Sequence, residues 1–192
     1  MTVQKFVRWW PPVGLLAMVL LGLAVGKTST PVDDAFQRTG RATEPYSGLL
    51  LFFTDPRVLT VILVVAVGIT LWRKRWRLAV VMALCPQVAV YIERGFKHFF
   101  GRNKEGALAY PSGHTTLMVT VLGMVLLAAG AALWSRVLAG FFVTLGMLGQ
   151  AMTYHYFTDT VGALLFGSSL VCVAGLLGGV AFLKSDPPSP KQ

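Results

Sequence analysis

Pro111, Ser112, Gly113 and His114 open one apolar run, and a second run ends at His155 with Asp159 four positions beyond it. Two of the chain's three histidines thus stand at the ends of membrane-length segments. An imidazole can attack phosphorus, a second can carry the proton of the leaving group, and a carboxylate can fix the tautomer of the first and stabilise its cation. His155 and Asp159 are one helical turn apart if the backbone there is helical, which would put both on one face. The Pro-Ser-Gly-His turn suits the other partner. Glycine allows close backbone approach. A helix starting there aims free amides and a positive dipole end at an anion. Ser112 adds a hydroxyl.

Just upstream lie Lys97, Arg102 and Lys104. Arginine forks onto phosphate oxygens and lysine acts as a point charge, so this stretch could neutralise the charge that develops during phosphoryl transfer. His98, in the same stretch, reads as an interfacial side chain. Glu93, one turn before Lys97 and beside Arg94, reads as an ion-pair partner. Each feature also has an ordinary explanation: a helix cap, a structural His–Asp hydrogen bond, or cations reaching for anionic headgroups. The segments are scattered in sequence, yet the expected topology brings all of them to one membrane face. That convergence favours a common site.

The elements that must position these residues are transmembrane helices. The 192 residues are 55% hydrophobic and only 13% charged, against about 25% charged in soluble domains, and mean hydropathy is +0.65. With spans of about 20 residues, the pattern predicts an all-α, six-span bundle over 10–26, 56–72, 78–99, 112–133, 137–156 and 160–183. This makes a single domain over 1–183 with a polar, Pro-rich, disordered tail over 184–192. Lys5, Arg8 and the Ala24-Val25-Gly26 sequence resemble a cleavable signal, but the first span is read as a retained helix. In the loop 27–48, Thr30 as N-cap, Pro31 at the first helical position and the acidic Asp33 and Asp34 predict a short helix ending at Gly40, with Phe36 at the membrane surface.

The turn Arg73-Lys74-Arg75-Trp76-Arg77, with Lys5, Arg8, Arg136 and Lys184 on its side, is expected to face the cytoplasm. The candidate site then lies at the extracytoplasmic ends of the helices. The net charge of +9 is split into short clusters between apolar runs, which argues against nucleic acid as a partner. Cys85 and Cys172 fall in separate apolar runs and have no disulfide or zinc spacing. The carboxylates near the site are too few for a two-metal centre, so no metal or other cofactor is expected.

The chain resembles the type-2 phosphatidic acid phosphatase superfamily, the lipid phosphate phosphatases, over Lys97 to Asp159. That family's first motif is Lys, six residues, Arg-Pro; here Lys97 is followed after six residues by Lys104-Glu105. The second, Pro-Ser-Gly-His, is matched in full by Pro111 to His114. The third is Ser-Arg, five residues, His, three residues, Asp; His155 and Asp159 match its second half, whereas Leu148-Gly149 replace the Ser-Arg pair and Gln150 is the nearest polar residue. Arg94 or Arg102 could reach in to compensate. The resemblance implies His155 as nucleophile, Asp159 as its orienting carboxylate and His114 as acid. It further implies Lys97, Arg102, Lys104, Ser112 and Gly113 as the phosphate cradle.

The partners are then the bilayer and an amphiphilic lipid phosphate: a polyprenyl diphosphate or phosphate, phosphatidate, phosphatidylglycerol phosphate or a polyprenyl-phosphosugar phosphate. The expected setting is a bacterial plasma membrane. A catalytically impaired relative that binds or moves lipid phosphates is the alternative, and a purely structural membrane subunit is a weaker third.

Overall fold

Asp55 and Pro56 launch a membrane-length helix. The Asp55 carboxylate accepts from the amides of Arg57 at 2.7 Å and Val58 at 3.4 Å, and Pro56, which has no amide to satisfy, takes the first helical position. The computed structural model describes residues 3–44, 46–130 and 132–180, and nearly all of its elements are helices. They are α1 (Val3–Val25), α2 (Pro31–Ala42), α3 (Tyr46–Leu49) running into a 3-10 turn (Leu50–Thr54), α4 (Pro56–Trp72), α5 (Trp76–Phe100), α6 (Gly113–Ala128), α7 (Leu133–Met152) and α8 (Phe157–Leu177). A two-residue-loop hairpin, β1 (Asn103–Lys104) and β2 (Ala107–Leu108), follows α5.

Five helical stretches, Gln4–Val25, Tyr46–Trp72, Trp76–Phe100, Leu133–Met152 and Phe157–Leu177, are long and apolar enough to cross a membrane. Their outer faces carry exposed Leu16, Leu20 and Leu23 on α1, Val61, Val64 and Val65 on α4, and Val80, Leu84 and Val88 on α5. Such surfaces suit lipid as solvent. The sixth apolar helix, α6, has 16 residues, roughly 24 Å at 1.5 Å per residue. It packs against α4, α5, α7 and α8. Met118, Val121, Met124 and Leu127 of α6 join Leu59, Leu63, Leu78, Met82 and Ala174 in one core.

Several expected boundaries move. The first helix begins at Val3 rather than at 10 and carries Pro11 and Pro12 inside it. The fourth ends at Ala128 rather than 133, with the chain passing through a left-handed Gly130 (φ 78°). The fifth runs from Leu133 to Met152 rather than 137–156, so His155 lies outside the helix. The sixth starts at Phe157 and ends at Leu177; residues 181–183 and the tail over 184–192 lie outside the described residues. The loop helix forms with the expected Thr30 cap, completed by a reciprocal bond from Asp33. Gly40 does not end it. Instead Gly40 lets α2 press onto the Met152 backbone of α7, and Phe36 stacks on Phe157 with centroids 4.4 Å apart.

At one end of the bundle α4 meets α5 through the cationic turn 73–77, where Trp72, Trp76 and Trp134 are exposed. This is the composition of a membrane interface. Tyr110 anchors the other end: its hydroxyl donates to the Met18 carbonyl of α1 at 2.5 Å, and its ring fills the space beside Gly162 of α8. A β-carbon at 162 would meet that ring at 2.5 Å. Gly162→Val should therefore cost about 1–3 kcal/mol of overpacking, read as a clear fall in the detergent-solubilised protein's melting temperature. An unchanged melting temperature would contradict this packing.

Candidate active site

The end of α5, the start of α2 and the start of α8 meet around one guanidinium. Arg102 is fully buried. One of its terminal nitrogens donates to Asp159 at 2.8 Å and to the Thr158 hydroxyl at 2.7 Å; the other donates to Asp33 at 2.9 Å and to the Thr28 carbonyl at 2.8 Å. The Tyr156 ring lies 4.5 Å from the guanidinium carbon, within cation–π range. Arg102, expected to hold phosphoryl oxygens, is thus engaged by two buried carboxylates. Gly101, left-handed at φ 58°, ends α5 and turns Arg102 into this position.

Asp33 is the residue that sequence reasoning missed. Its place in the sequence suits the dipole of α2, but it is also fully buried and accepts from the Thr158 amide at 2.9 Å. Burial alone would raise its carboxyl pKa, but the bonds from Thr158, Thr30 and Arg102 more than offset this and hold it below the ordinary aspartate value.

The hairpin places Lys104. Glu105 (φ 52°) and Gly106 (φ 85°) form its two-residue loop, the combination a type I′ turn requires. Lys104 points inward, where its ammonium donates to the carbonyls of Thr153 at 2.8 Å and His155 at 3.3 Å. Burial holds its pKa below the ordinary lysine value, against the opposing pull of Glu105 and Asp159. Lys104 therefore ties down the loop between α7 and α8 that carries the nucleophile candidate. Glu105 stays exposed at the hairpin tip.

His155 lies in that loop, one residue before the cap of α8, and not on a continuous helix as the spacing had suggested. Its backbone amide donates to the Gln150 carbonyl at 2.9 Å. Its Nδ1 is 3.7 Å from Asp159 Oδ2, just outside hydrogen-bond range, as is common before substrate tightens such a pair. Asp159 is fully buried, its Oδ2 also accepting from the Tyr156 amide at 3.0 Å. The His114 ring is 6.4 Å from the His155 ring, centre to centre. It faces a hollow of about 220 Å³ lined also by Thr54, Asp55, Gln150 and Tyr154.

Ser112 caps α6, its hydroxyl accepting from the Thr115 amide at 3.4 Å, and its own amide donates to the Asp159 carbonyl at 3.1 Å. The second and third motifs are thereby joined through backbone. Lys97 pairs with Glu93 at 3.0 Å, and that carboxylate lies against Gly113. Arg94 and His98 are exposed on α5, where Arg94 lines apolar grooves rather than the His114 hollow.

The position of the missing arginine is closed. A β-carbon on Gly149 would meet Leu50 Cβ at 2.7 Å and the Leu50 carbonyl carbon at 2.8 Å, so α7 and the 3-10 turn touch there. Gln150 is buried instead, donating to the Thr54 hydroxyl at 2.7 Å at the edge of the His114 hollow.

No protein-family model matches the sequence, and no curated protein matches it either. The fold does have a match. The chain superposes on a solved structure described as the first transmembrane PAP2-type phosphatidylglycerolphosphate phosphatase from Bacillus subtilis, with a TM-score of 0.69, 18% identity, and coverage of 86% of this chain and 94% of that one. The two chains share a fold.

Removing one carboxylate from a buried ion pair leaves its partner under-compensated, at a cost of about 3 kcal/mol. Asp33→Asn should lower the melting temperature at neutral pH. Because the folded-state pKa of Asp33 is depressed, its contribution is complete above the unfolded value of about 3.9 and fades as pH falls toward the folded value. The gap between wild type and variant should therefore narrow below about pH 4. A gap independent of pH would contradict the assignment.

Proposed function

We propose that this integral membrane protein is a lipid phosphatase of the PAP2 type, cleaving a phosphomonoester or diphosphate headgroup through a phosphohistidine. The observation that carries the reading is the pair of imidazoles 6.4 Å apart at the start of α6, with buried Asp159 behind one of them. That gap suits a phosphoryl group held at attack distance, about 3–3.5 Å, from the nucleophile.

In the first step His155 Nε2 forms a bond to phosphorus as the bond to the lipid oxygen breaks. The departing electron pair stays on that oxygen, which takes its proton from His114. Asp159 balances the charge on the substituted His155 ring. Water then attacks the phosphohistidine, giving its proton to His114. The N–P bond breaks, its electrons return to the imidazole, and inorganic phosphate leaves. Lys97, Ser112 and the Gly113 amide are assigned to the phosphoryl oxygens, with Gln150 as a neutral donor at the edge. Arg102 and Lys104 are positioning residues: the first holds Asp159, the second holds the His155 loop. The step needs no metal.

The substrate is an amphiphile whose phosphate reaches the membrane boundary. The likeness to a phosphatidylglycerolphosphate phosphatase puts that lipid beside polyprenyl diphosphates and phosphatidate as candidates. The cationic turn 73–77 at the far end of the bundle supports a cytoplasmic placement for that end and an extracytoplasmic site in a bacterial plasma membrane. The closed position at Gly149 favours one competing reading, a protein that binds lipid phosphates without turning them over.

Detergent-solubilised protein should release phosphate from these lipids in the presence of a chelator. His155→Ala should abolish release. His114→Ala should slow it by roughly 10²–10⁴-fold, and far less for an aryl phosphate whose leaving group needs no proton. Metal-dependent release, or full activity of His155→Ala, would overturn the mechanism. Tight lipid binding without release would select the competing reading.

A further inference from the structure

Glu93 is a buried carboxylate, 2% exposed, that the mechanism leaves unused. It stands on α5 against the first residue of α6. Its oxygens lie 3.2 and 3.3 Å from where a β-carbon on Gly113 would be, a tight approach to the helix start that the absent side chain eases. The first amides of a helix have no intrahelical acceptors and carry the positive end of its dipole. Glu93 Oε1 is shut off from solvent and takes no directed hydrogen bond; its 3.0 Å contact with Lys97 is a charge contact. An anion already sits beside the cradle assigned to phosphate.

The local charges agree. Asp33 and Asp159 engage Arg102, Glu93 engages Lys97, and Lys104 is turned onto backbone carbonyls. Lys97 lies one turn from Glu93 on α5 and is already paired with it. A phosphate dianion arriving beside Gly113 would face a carboxylate at close range, a repulsion that a shielded site amplifies.

We propose that Glu93 is the resident anion of the phosphate cradle, competing with phosphoryl oxygens for Lys97 and the α6 N-terminus and so setting the affinity for phosphate. This rests on the reading above only in placing phosphoryl oxygens at the start of α6. The site thereby disfavours fully ionised phosphate, including the inorganic product, and retains lipid phosphates through the bilayer-embedded part of the molecule. An ordinary role, in which Glu93 merely orients Lys97 for phosphate, predicts the opposite effect of removing its charge.

The test is calorimetric titration of the full-length protein in detergent with inorganic phosphate, comparing wild type, Glu93→Gln and Glu93→Asp. Glu93→Gln should bind phosphate roughly tenfold to a hundredfold more tightly, the effect of removing one nearby like charge. Glu93→Asp, which withdraws the charge by one methylene, should fall between. Should Glu93→Gln fail to fold, a larger phosphate-induced rise in melting temperature for Glu93→Asp than for wild type supports the proposal, and an equal or smaller rise overturns it. Unchanged or weaker binding by Glu93→Gln, or no phosphate binding by any of the proteins, also overturns it. Loss of lipid turnover in His155→Ala is unaffected by either result, so the two readings fail separately.

Discussion

The buried guanidinium of Arg102 is the constraint on which the site depends. A charge taken fully out of water is expensive unless it is paired and hydrogen-bonded. Here the compensation comes from two carboxylates, one hydroxyl and one carbonyl, drawn from the α1–α2 loop, α2 and α8. Those partners cannot all be satisfied unless α2 closes over the end of the bundle and α8 starts where it does. The same pairing fixes Asp159, whose other oxygen faces the His155 ring. One ionic cluster therefore orders the helix ends and aims the carboxylate behind the candidate nucleophile.

A second layer of backbone bonds acts on the loop itself. Lys104 holds the carbonyls of Thr153 and His155, Gln37 holds those of Ala151 and His155, and Ser112 reaches the Asp159 carbonyl. These carbonyls at the end of α7 and in the loop beyond it lack helical partners. Partners from the hairpin and from α2 let the chain leave the helix before His155 without stranding these carbonyls. His114 comes to the same place by a simpler route, as the second residue of the Ser112-capped helix.

Much of this could be read from sequence where the signal is local. The apolar span beginning at Pro56 marks α4, Thr30-Pro31 with Asp33 marks α2, and Pro111 to His114 marks the capped start of α6. Where distant partners decide, sequence reasoning failed. The apolar character of 137–156 suggested a helix through His155, because nothing nearby reveals that Lys104 and Gln37 will take the carbonyls there. Arg102 looked like a phosphate ligand because its two carboxylates lie 57 and 69 positions away. The Glu105-Gly106 turn lacks the Asn-Gly or Asp-Gly pair that most strongly signals a two-residue hairpin loop. The Glu93–Lys97 pair was visible as an i,i+4 spacing, but its position against Gly113 required the packing of α5 on α6.

The central claim is that His155 and His114 serve one phosphoryl group. Trapping the intermediate tests it most directly. The protein is quenched at alkaline pH during turnover of a lipid phosphate or an aryl phosphate, and its peptides are mapped by mass spectrometry. The account predicts an acid-labile phosphoramidate on His155 that is absent without substrate. Turnover with no phosphoryl group on His155, or with one on a different side chain, would contradict it.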